Sequence, residues 1–81
     1  MSEREKKPVP LKHMGYALVA VYHGQDANAY LDAVLYRNGD KWVAWTFNNE
    51  TGGHCHGCYG NQKEALSGWC KKIGFLTPED V

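Results

Sequence analysis

The chain has almost no charge imbalance: nine lysines and arginines face nine aspartates and glutamates over 81 residues. It therefore lacks the broad positive field on which nucleic-acid affinity largely rests, and a dedicated DNA or RNA binder is the less favoured reading. No apolar run approaches the ~20 residues of a membrane-spanning helix, and the first residues are charged, so neither insertion nor a signal peptide is expected. A cytoplasmic location follows as the expectation. There is no nucleophile elbow, no phosphate-binding loop and no dinucleotide-type glycine motif. A two-layer domain of this length also has little room for a deep pocket of ordinary ligand size. The chain is accordingly expected not to be an enzyme. Cysteine is scarce and odd in number, at three. That suits reduced thiols or metal ligands better than a disulfide framework.

Aromatic residues are what the chain has in plenty: three Trp, five Tyr and two Phe. That composition belongs to packing or to an interface. Residues 1–12 read as a flexible charged arm, because Ser2 to Lys7 is polar throughout and Pro8-Val9-Pro10 stops a helix. Residues 13–76 form one domain, and 77–81 a short tail. Within the domain, four runs rich in β-formers cover Gly15–His23, Ala29–Arg37, Lys41–Asn48 and His54–Gly60. Asn38-Gly39 is a hairpin signal. The period then changes. Asn61 and Glu64 make a capping box, and Ala65, Leu66, Trp69, Cys70 and Ile73 form one apolar stripe. Gly74 is placed as a left-handed stop. The fold class is α+β: a four-stranded antiparallel sheet, β-β-β-β-α, with one C-terminal helix packed on one face.

The alternation leaves too much apolar surface for that helix. With Asn38-Gly39 as the loop, Leu31, Ala33 and Leu35 share a face with Trp42, Ala44 and Thr46. Tyr30, Val34 and Tyr36 share the other with Val43, Trp45 and Phe47. A bulged turn shifts Trp42 to the second set. In the first run Ala17, Val19 and Val21 oppose Tyr16, Leu18 and Tyr22. One helix covers one face, so the second needs a second subunit, another protein, stacked bases or the folded-back arm. Tyr16, Tyr22, Tyr30, Tyr36 and Trp42 are the candidate partner-binding residues.

His54-Cys55-His56-Gly57-Cys58 places four metal-ligating side chains in five residues, a zinc-like donor set. In a regular strand His54, His56 and Cys58 share one face while Cys55 and Tyr59 point away. Alternatively Cys55 and Cys58 form a knuckle completed by His54 or His13. Against both stands a plain packing role, with Cys55 and Cys70 as small core residues. Two readings follow. One is a non-catalytic protein-binding module with an aromatic sheet face, homodimeric or docked on a larger protein, in the style of inhibitor proteins of phages and mobile elements. The other is a zinc-stapled domain contacting nucleic acid or protein through His54, Cys55, His56 and Cys58.

Overall fold

The computed structural model describes residues 6–77. They form a five-stranded antiparallel sheet and one α-helix. The strands run β1 (Lys12–His13), β2 (Tyr16–His23), β3 (Leu31–Asn38), β4 (Lys41–Asn48) and β5 (Gly53–Gly60), and α1 spans Gln62–Leu76. Each strand pairs with the next, so the spatial order is the chain order. The expected α+β architecture is present, with one addition at its edge. Two residues ahead of the first expected strand pair back on it, Lys12 with Ala17 and His13 with Tyr16.

The centre of the sheet is dry on both sides. Residues 32–36 of β3 and 43–47 of β4 are all buried, which is why these strands read as continuous apolar runs. Asp32 is the charged member of this stretch, 2% exposed. Its carboxylate accepts hydrogen bonds from His23 Nδ1 at 2.9 Å and Asn49 Nδ2 at 3.2 Å, which offsets the loss of water.

The β3–β4 turn differs from the expected one. Asn38 still pairs, opposite Lys41, and the two loop residues are Gly39 and Asp40. Gly39 has φ +61°, while Asp40 is on the ordinary side of φ, as in a turn with glycine first. The pairs therefore move along by one residue on each strand: Leu35 meets Ala44 and Tyr36 meets Val43. Because both strands slip together, the residues within β3 and β4 keep their predicted faces, while Tyr30, outside β3, turns to the helix side.

Two bulges break the alternation in the outer strands. One at Val19 separates Leu18, opposite Tyr36, from Ala20, opposite Leu35. The second lies in β5, where His56 and Gly57 stand against Trp45 between the Cys55–Thr46 and Cys58–Ala44 pairs. His56 carries the strain, at φ +56°. Helix α1 begins as expected: Asn61 Oδ1 accepts from the Glu64 N–H, and Glu64 Oε1 accepts from the Asn61 N–H. It does not stop at Gly74. The helix runs to Leu76, where Thr77 Oγ1 donates to the Ile73 carbonyl. Its buried residues are Ala65, Gly68 and Leu76. Cys70, expected inward, is exposed, and Leu66 and Ile73 are half-buried.

Candidate functional site

The sheet separates two side-chain clusters. On the helix side Leu35, Ala44 and Ala65 are buried, with Trp42, Leu66 and Trp69 packed around them. Trp69 Nε1 donates to the Ala33 carbonyl at 2.9 Å, which fixes the helix over β3. On the opposite side Val34, Tyr36, Val43, Trp45 and Phe47 form the core, flanked by Val9, Tyr16, Leu18 and Val21.

Trp45 is the hub of that second cluster. The rings of His13, Tyr16, Tyr36, His54 and Tyr59 stand edge-on to its indole, with centroids at 4.8, 5.9, 5.3, 5.3 and 5.7 Å. Such T-shaped contacts set ring edges against π-faces and add to simple burial. The β5 bulge is what admits the indole. A Cβ on Gly57 would lie 2.8 Å from Trp45 Nε1 and 2.7 Å from Tyr59 Cε1. Only glycine leaves that space.

The chain covers this face itself. His13 stacks on His54 with centroids 3.8 Å apart and planes 12° from parallel, so the first and last strands of the sheet meet across the concave side. Tyr36 Oη donates to the Pro10 carbonyl at 2.7 Å and lies 3.2 Å from His54 Nε2. The phenol has one proton, and Pro10 takes it, so His54 Nε2–H is the donor in the second bond. The Lys7 N–H donates to the Asn49 carbonyl, tying the arm further along the sheet. Burial and the charge on nearby His13 push the His54 imidazole down to about 4. Burial raises the Tyr36 phenol to about 12.

The five partner-binding candidates are dispersed. Tyr36 has no exposed surface, because the arm and the neighbouring rings cover it. Tyr16 is half-buried against Trp45. The Val19 bulge turns Tyr22 to the helix side, where its hydroxyl meets Thr77 Oγ1 at 2.8 Å. Trp42 is also on the helix side, with the Arg37 guanidinium 5.4 Å above its ring. Tyr30 is 40% exposed and faces a cavity under α1. The residues that do reach solvent as large apolar groups near the aromatic cluster are Leu11 (76%), Met14 (72%) and Tyr59 (58%). Of these, Leu11 and Met14 lie in a segment too short to show periodicity. Their one sequence signal is Gly15, which marks a turn immediately after Met14.

The metal candidates are divided between the two faces. The β5 bulge inserts one residue, so Cys55 and Cys58 both share the helix-side face with Thr46 and Ala44, while His54 shares the aromatic face with Phe47. A regular strand would have put His54, His56 and Cys58 together, and the bulge overturns that grouping. Cys70 is exposed on the helix. Among the described residues, no three His, Cys, Asp or Glu side chains are gathered to hold one ion. The same residues admit no helix long and apolar enough to cross a membrane.

The helix side is looser than the aromatic side. A cavity of about 560 Å³ lies between the C-terminal half of α1 and strands β4 and β5. Thr46, Cys55, Cys58 and Gly68 are its small lining residues; Leu31 and Leu76 add apolar bulk. Tyr30, Lys71, Lys72 and Phe75 also line it, together with His56. This volume falls in the range that holds small-molecule ligands, against the expectation from size alone. Lys72 Nζ donates to the His56 carbonyl, joining the helix to the bulge. No family model, curated protein or solved structure matches the chain.

Proposed function

We propose that the chain is a non-catalytic protein-binding module that docks through the rim of its aromatic cluster, with a second copy of itself as the partner. The observation that carries this reading is Met14. It sits at the tip of the β1–β2 hairpin in the left-handed region, φ +54°, and is 72% exposed. Turn residues at positive φ are usually Asn, Asp or Gly, which tolerate it through small size or local hydrogen bonds. A methionine there stores strain and shows a flexible apolar thioether to water, so neither stability nor solubility accounts for it. Strained residues persist chiefly where function uses them, and methionine adapts well to a partner surface. Leu11 lies three residues away. Tyr59, 58% exposed, also packs edge-on against Trp45 and adds to the apolar rim. A closed two-fold pair would bury both copies of this rim in one interface.

Sedimentation equilibrium over a wide concentration series tests this. The wild-type chain is expected to self-associate. Met14→Asn relieves the backbone and should raise folding stability by about 0.5–1 kcal/mol. It should weaken association about fivefold or more, as loss of a central apolar contact does. A wild-type chain that stays monomeric throughout, or a Met14→Asn chain that associates equally well, overturns the reading.

A further inference from the structure

The cavity under α1 has its own chemistry, separate from the aromatic rim on the other face of the sheet. The β5 bulge and a helix glycine create it. Because His56 and Gly57 share one position opposite Trp45, Cys55 and Cys58 both turn to the helix side. Gly68 lets α1 approach there: a Cβ at that position would lie 2.8 Å from Cys58 Cβ and 2.9 Å from its sulfur. Beyond this pinch the small side chains of Thr46, Cys55 and Cys58 do not fill the space below the last turns of the helix. The wall that results is mostly apolar. Among the described residues that line it, Lys71 and Lys72 bring positive charge and none is acidic. Lys72 Nζ is already positioned by the His56 carbonyl, with further N–H groups free to donate.

We propose that this cavity is a binding site for a small apolar carboxylate, its body against Leu31, Cys55, Cys58 and Leu76 and its charged head at Lys71 and Lys72. An apolar body gains by leaving water for such a wall. Two lysines in the lining, with no acid among the described lining residues, favour an anion over a neutral or cationic head. The volume accommodates a ligand of ordinary small-molecule size.

The three cysteines supply the test. All three reach solvent, and Cys55 and Cys58 line the cavity whereas Cys70 does not. The reduced chain is treated with N-ethylmaleimide, with and without saturating decanoate below its micelle concentration. Modification of each cysteine is followed by peptide mass spectrometry. Decanoate should slow Cys55 and Cys58 several-fold and leave Cys70 unchanged. Decyltrimethylammonium, with a tail one methylene longer and the opposite charge, should protect none of them. Unchanged rates, or equal slowing of all three thiols, overturn the site. Equal protection by the cation overturns the ligand class. Lys71 is exposed, so Lys71→Gln should fold normally and raise the decanoate Kd about tenfold, as loss of a charge-assisted hydrogen bond does. An unchanged Kd contradicts the assigned head position.

Discussion

The two faces of this sheet are built from the same strands and finish very differently. The face away from the helix is filled with rings and closed by the chain's own arm and first strand. The helix face is held by Ala65 and Trp69 at one end and remains hollow at the other. The difference follows from side-chain size. Trp45, Tyr36 and Phe47 on one face are matched on the other by Ala44, Leu35 and Thr46. Large rings recruit further cover, here from His13, Val9 and Pro10. Small residues leave space beneath the last turns of the helix, beyond its contact at Gly68. An apolar sheet face therefore does not by itself call for a partner, because a short arm and a two-residue strand can cover it.

Trp45→Ala should widen the contrast most, losing about 3–5 kcal/mol in urea unfolding by emptying the hub of the ring cluster. A loss below 1 kcal/mol would mean that the rings pack independently of it. Gly68→Ala probes the tight end of the hollow face. The added methyl meets the Cys58 side chain and should cost about 1–3 kcal/mol, less the gain in helix propensity. Tyr36→Phe removes the arm's anchor on the Pro10 carbonyl and should cost about 1 kcal/mol. Gly74→Ala should have the smallest effect and the opposite sign. Nothing lies within 4 Å of the new methyl, and a helical alanine should add about 0.5–1 kcal/mol.

The helix length behind that last prediction was not visible in the sequence. Gly74 carries the mark of a stop, yet Leu76 is buried and extends the helix past it. The Asn61–Glu64 box was legible because its two hydrogen bonds are local. The strands and their faces were legible where alternation was unbroken, in β3 and β4. Reading failed at the two bulges. One extra residue at Val19 separates Tyr16 from Tyr22, and one at His56–Gly57 separates His54 from Cys58. A bulge is fixed by what the partner strand presents, here the Trp45 indole over Gly57, and no local pattern announces it. The closing arm was legible only as one of several possible covers, since its contacts with Tyr36 and Asn49 are remote in sequence.

Folding stability should also depend on pH through His54. The unfolded chain protonates His54 near 6.5, but the folded chain does so only near 4. Stability linked to His54 is therefore fully present above pH 6.5 and falls as the pH drops towards 4. The loss is on the order of 1 kcal/mol once solvent screening of this half-buried group is allowed for. His54→Gln should flatten that part of the stability–pH curve. A curve unchanged by the substitution would show that His54 is not held neutral by its surroundings.

The contrast between the faces rests on one contact above all, the stacking of His13 on His54 across the aromatic side. Nuclear Overhauser spectroscopy on the full chain measures it directly. Cross-peaks between the two imidazole rings, together with a contact from Pro10 to the Tyr36 ring, are the predicted result. Their absence, with sharp mobile signals from Pro10 to His13, would contradict the account: the ring cluster would then be an open surface, and a partner would have to cover it.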